Sequence, residues 1–122
     1  MAGTGFREAL QTIVRKVPEI RYVMVMGTDG IPIDRLDVVP RDNMEAIAAE
    51  YTTILRSSVT AAADTGLGGL RELVVVTEGM TAVLMAITPE YFVFACLPPE
   101  AGLGRARYVL RVASLALSSE FA

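Results

Sequence analysis

The stretch "RYVMVMGTDGIPIDRLD", residues 21–37, decides the fold. An apolar run, a Gly-Thr-Asp-Gly turn and a half-polar run predict two antiparallel strands joined by a tight hairpin. Gly30 suits the turn because glycine takes positive φ at no steric cost. The first strand is expected over residues 20–26 and the second over residues 31–37. Pro32 cannot donate to a ladder, which makes the second strand an edge. An isoleucine and a proline beside the turn need an explanation, since surface hairpins usually carry polar residues there. Either Ile31 and Ile33 pack under a helix, or Thr28, Asp29 and Ile31 form a docking point with an apolar anchor beside a charge.

Upstream of the hairpin, Phe6, Leu10, Ile13, Val14 and Val17 trace one stripe of a helix, with Thr4 as cap and Pro18 as stop. Downstream, a longer helix opens after Pro40, with Asp42 or Asn43 as cap, and runs to about Asp64 before Gly66. Met44, Ala48, Tyr51, Leu55, Ser58 and Ala62 recur every four and three residues as a heptad-like seam, widened by Ile47, Ile54 and Val59. Glu45, Thr52, Thr53, Arg56, Ser57 and Thr60 make the wet side. A face this broad can serve both a sheet and a second helix. Three strands follow at residues 70–77, 80–88 and 91–97, joined by Glu78-Gly79 and Pro89-Glu90. Their nearly continuous apolar runs, "LVVV", "TAVLMAI" and "YFVFACL", imply cover on both faces. A last helix is expected over residues 103–121. The order is helix, two strands, long helix, three strands, helix. It reads as an α+β fold with a five-stranded sheet sandwiched between helices.

A chain of 122 residues is expected to be one domain over residues 1–122. Hydrophobic residues make up 52% and charged residues 20%, which leaves apolar surface for a partner or a second copy. The net charge of −3 and pI near 4.9 argue against nucleic acid as a partner. No apolar run is long enough to span a bilayer, so no membrane insertion is expected. "MAGTGFREAL" carries no signal-peptide pattern, and the lone Cys96 fits a reducing compartment, so the expected location is cytoplasmic.

Histidine is absent from the chain, which removes His-based triads and metal sites. Cys96, inside "FVFACL", reads as a buried thiol. "TGLGGLRE" lacks the Gly-Lys-Ser/Thr of a phosphate loop. In "GLGRARYVL", Gly102 and Gly104 read as a tight entry into the last helix, with Arg105 and Arg107 able to hold a phosphate or a partner's carboxylate. Asp29, Asp34 and Asp37 read as a solvated turn and a charge-protected edge. No catalytic residue, metal ligand or cofactor is expected.

Three patterns, in order and at these distances, resemble the Roadblock (dynein light chain) family, including its bacterial Mgl-type members. They are "VMVMGTDGIPI", the long Ala-rich helix leading to "GLGGLRELVVVTEGMTAVLMAI", and "GLGRARYVLRVA". The resemblance spans residues 5–121. It implies a Roadblock/profilin-like sheet with the first and last helices on one face and the long helix on the other. It also implies a homodimer whose third strands pair into a ten-stranded sheet while the long helices lie side by side. The residues expected at that interface are Met44, Ala48, Tyr51, Leu55, Arg71, Leu73 and Val75.

The family implies a non-enzymatic adaptor in a Ras-like small-GTPase circuit of the cell-polarity and gliding-motility type. Such an adaptor binds the GTPase or a sister Roadblock protein. With this sequence closing directly after the last helix, a likeness to the short adaptor members is expected in preference to the GTPase-activating type. Thr28, Asp29 and Ile31 at the hairpin, and Glu45, Thr52 and Arg56 on the long helix, are the expected partner-binding residues. The rival reading is a small-molecule sensor of profilin-like fold, for which the strands offer few polar groups: Glu72, Thr77, Thr81 and Thr88.

Overall fold

Strand alternation organises the core in the computed structural model, which describes residues 2–39 and 43–121. In β1 (Tyr22–Gly27) every residue is buried, because successive side chains enter different layers. Val23 and Val25 face one way, while Tyr22, Met24 and Met26 face the other. The same division holds in β4 (Thr81–Thr88), with Val83 and Met85 opposite Ala82 and Leu84, and in β5 (Tyr91–Leu97), with Val93 and Ala95 opposite Phe92 and Phe94. Two-sided cover, expected from the three apolar runs, holds in β4 and β5; the strand at Glu72–Val76 is only half-buried, with Val76 exposed, because it lies at the sheet edge.

β2 (Pro32–Asp37) and β3 (Glu72–Val76) complete the sheet, whose order is β2-β1-β5-β4-β3 with every pairing antiparallel. Two helices, α1 (Ala2–Lys16) and α3 (Leu103–Leu117), cover one face, and α2 (Met44–Asp64) lies on the other. The side chains match this asymmetry. Beneath α1 and α3 the central strands present mostly Val and Ala, small enough for two helices to settle closely. Beneath α2 they present Tyr22, Phe92, Phe94 and two methionines, whose bulk fills space that one helix leaves open.

Element bounds depart from expectation at several ends. α1 begins at Ala2, which puts Thr4 inside the first turn instead of at the cap. That turn has no acidic residue of its own. The Glu120 carboxyl group, from the 3-10 turn Ser118–Phe121 that follows α3, lies where a Cβ on Gly5 would be 2.5 Å away. Negative charge thus reaches the positive end of the helix dipole from far along the chain. At its other end α1 carries Arg15 and Lys16, and the Arg105 guanidinium donates to the Lys16 carbonyl at 2.9 Å.

Asn43 precedes α2 with φ 64° and makes no side-chain cap bond, and the expected Pro40 and Asp42 lie outside the described residues. α2 ends in a Schellman-type turn. Gly66 takes φ 73° while Leu67 N–H donates to the Ala62 carbonyl at 2.9 Å. β3 is shorter than the expected 70–77, since Leu70 and Arg71 still belong to the loop.

Candidate partner-binding surfaces

The hairpin tip is held from three directions. Within the turn, Gly30 takes φ 88°, and the Asp29 carboxylate accepts the Ile31 N–H at 3.0 Å. A Cβ at residue 27 would stand 2.6 Å from Asp29 Oδ1, so glycine there leaves room for that carboxylate. From the sheet, Thr28 N–H donates to the Glu90 carbonyl at 2.9 Å, and from α2 the Arg56 guanidinium donates to the Thr28 carbonyl at 2.6 Å. The tip is a braced projection.

Ile31 on that projection is 63% exposed and Ile33 is 40% exposed. Packing under α1, one of the two readings of the sequence, is overturned. α1 reaches β2 through Leu36 and through an Arg7–Asp34 ion pair at 2.5 Å, which leaves the isoleucines in water.

Of the six residues expected to bind a partner, Thr28, Asp29, Ile31 and Arg56 come together at this end of the sheet. Glu45 stands eleven residues before Arg56, roughly 16 Å away along the helix, where it pairs with Arg35 of β2. Thr52 does not belong to the wet side at all; it is 1% exposed. Its hydroxyl donates to the Ala48 carbonyl at 2.8 Å, so the polar atom is satisfied within the helix and the side chain can pack beside Met26. Thr52→Val is therefore expected to change stability by less than about 1 kcal/mol, while Thr52→Asp should cost more than about 2 kcal/mol. Urea unfolding of the two variants checks both values.

The α2 seam also differs from expectation. Met44, Ala48 and Leu55 are buried against this chain's own sheet and have almost no surface to offer a second helix. Tyr51 is half-buried, its ring stacked 6.1 Å from that of Phe94. Ile54 and Val59, expected to widen the buried face, are exposed, and past Leu55 no described α2 residue is buried. The reason is geometric: the outer strands of a five-stranded sheet lie about 19 Å apart, whereas one helix is about 10 Å across.

The β3 edge is the second exposed apolar region. Leu73 and Val75 face the α2 side half-buried, Val76 is 62% exposed, Leu67 is 81% exposed, and Arg71 is exposed beside them. On the other face Glu72 Oε1 accepts from Arg107 at 2.6 Å and Oε2 from Arg111 at 2.9 Å. Neither Arg105 nor Arg107 is therefore free for the phosphate that the sequence left open: one closes the end of α1 and the other ties α3 to β3.

The Arg107 hydrogen bond, aided by Arg111 and opposed by burial, holds the Glu72 carboxyl below the usual carboxylate range. A depressed carboxylate stabilises the fold above its unfolded pKa, and that contribution disappears as pH falls through the folded value. Glu72→Gln should cost about 1 kcal/mol at neutral pH, discounted for half-exposed arginines. The gap between wild type and variant should close below about pH 4. Thermal melts of both proteins across that range would show it.

Among the described residues there is no cluster of His, Cys, Asp or Glu able to hold a metal, and no helix long and apolar enough to cross a membrane. What the surface offers is a braced apolar tip, an unpaired apolar strand edge and a half-bare helix.

Residues 7–97 match the model of the Roadblock/LC7 domain, and the chain belongs to that family. Its fold is an adaptor and regulator fold. Among curated proteins none matches the chain in sequence. Among solved structures, the gliding protein MglB of Thermus thermophilus superposes with a TM-score of 0.87 at 17% identity, covering 98% of this chain and 90% of that one. A Roadblock/LC7 domain from Streptomyces avermitilis gives 0.82 at 15% identity, covering 93% and 95%. MglC of Myxococcus xanthus gives 0.67 at 29% identity, covering 95% and 98%.

Proposed function

We propose that this protein is a homodimeric adaptor in a Ras-like small-GTPase circuit of the cell-polarity and motility type, binding the GTPase or a sister Roadblock protein. The observation that carries the reading is the unpaired β3 edge beside the exposed half of α2. A strand edge bearing Leu73, Val75 and Val76 invites pairing with a second copy, and antiparallel pairing there would make one ten-stranded sheet. Arg71, Leu73, Val75 and Tyr51 would meet across the axis, with Ile54 and Val59 giving the α2 helices an apolar contact. Met44, Ala48 and Leu55 would support that contact from beneath. The hairpin tip lies at the far side of the braced Arg56–Thr28 contact and is the proposed docking point for the partner. Likeness to MglB and MglC supports the GTPase circuit, and the cytoplasm is the proposed location.

Size-exclusion chromatography with light scattering, alone and with a Ras-like GTPase or sister Roadblock protein of the same genome, tests the reading. A dimer that co-elutes with either is the expected result. A monomer would remove the sheet pairing, and a dimer that ignores both would remove the GTPase circuit.

A further inference from the structure

A groove of about 670 Å³ opens where β3 has given way to its loop and β4 runs on. It crosses the sheet edge at Ala86–Thr88. One half lies beneath α2, lined by Leu55, Val59 and Phe92; the other lies beside α3, lined by Met85, Ile87 and Leu115. That volume is typical of sites for small organic ligands.

The polar groups are unequally placed. On the α3 side stand Arg111 and Ser114, and Arg71 and Glu72 are at the rim. Ser114 is 4% exposed, and its hydroxyl is buried without a hydrogen-bond partner. A buried hydroxyl left unpaired costs stability. Glu72 is the one acid among the described lining residues, and it is already shared between Arg107 and Arg111. Arg71 makes no ion pair among the described residues. With Arg71 and Arg111 against Glu72, the described lining of the groove as a whole carries positive charge in excess, on a chain whose net charge is −3.

We propose that this groove binds an anionic amphiphile of the fatty-carboxylate class. The apolar tail lies along Leu55, Val59 and Phe92, and the carboxylate meets the Arg111 guanidinium beside Ser114. The excess of guanidinium over carboxylate selects an anionic head over a cationic or neutral one. The site goes beyond the adaptor reading; because Leu55, Val59 and Arg71 also stand in the proposed dimer contact, light scattering of each titrated sample records whether the dimer is kept. Thr28 also lines the groove, and its carbonyl is the acceptor for Arg56, so an occupied groove would be in contact with the hairpin tip.

The test is an amide-shift NMR titration of the whole protein with sodium dodecanoate below its micelle concentration. Dodecyltrimethylammonium bromide serves as the cationic control. Saturable shifts at Leu70, Phe92 and Ser114 are expected with dodecanoate, and binding at least about tenfold weaker with the cation. Arg111→Gln should weaken dodecanoate about tenfold without weakening the cation, since Arg107 still holds Glu72 and the fold. Leu115→Glu, on the α3 wall of the groove at an exposed position outside the proposed dimer contact, should weaken dodecanoate by at least as much. Absence of saturable shifts, equal affinity for the two detergents, or an unchanged Kd in Arg111→Gln would each overturn the site. Equal affinity would leave an apolar segment of a protein partner as the better occupant.

Discussion

Phe94→Ala is expected to destabilise the fold by about 3–5 kcal/mol, the usual range for emptying a buried aromatic site. Phe94 is fully buried in β5, the middle strand, with Met24 and Leu84 as its cross-strand neighbours. Its ring meets Tyr22 edge-on at 6.4 Å and stacks against Tyr51 of α2 at 6.1 Å. It thus packs between the sheet and its single covering helix, in one cluster with Met44, Ala48 and Leu55 of α2. Collapse cannot refill the cavity cheaply, because the flanking strands are held by ladder bonds on both sides. Domains of this size are stable by only about 5–15 kcal/mol, so the loss should lower the melting temperature by roughly 10–20 °C. The measurement should be made at one protein concentration, since self-association would couple to the melt. A change below about 1 kcal/mol would mean that α2 does not seat over β5.

Ile31→Asp is expected to do the opposite: to abolish partner binding while leaving the dimer and its melting temperature nearly unchanged. Ile31 is 63% exposed, and the turn around it is held by backbone and Asp29 bonds that do not involve its side chain. The folded state therefore loses little. A bound partner would lose an apolar anchor and would have to bury a charge, a penalty of about 2 kcal/mol or more, roughly thirtyfold in Kd. Titration calorimetry against the partner, beside a thermal melt of the variant alone, separates the two effects. A variant that fails to fold would show that the tip is structural. Unchanged binding would move the docking point elsewhere.

Much of the architecture is legible in local sequence. Turn chemistry at Thr28–Gly30 sets the hairpin, and the unbroken runs in β4 and β5 require helices on both faces. The helical stripe of Phe6, Leu10, Ile13 and Val17 lies in the core as its spacing requires. Reading the long helix by polarity was less secure. Thr52 satisfies its hydroxyl on the preceding turn and so can be buried, whereas Ile54 and Val59 are apolar yet exposed. No periodicity rule separates these cases, because the deciding quantity is the width of sheet beneath the helix.

Sequence by itself determined the order of elements, the edge character of β2, the absence of histidine chemistry and the family resemblance. These rest on turn residues, periodicity and composition, all of which act within a few residues. Only the tertiary structure decided that Ile31 stands in water, that Arg107 and Arg111 converge on Glu72, and that a groove lined from both α2 and α3 opens at the sheet edge. Each of those facts joins side chains brought together from separate elements of the fold. Whether a side chain is covered, paired or left unsatisfied depends on what the folded chain places against it, which no local pattern encodes.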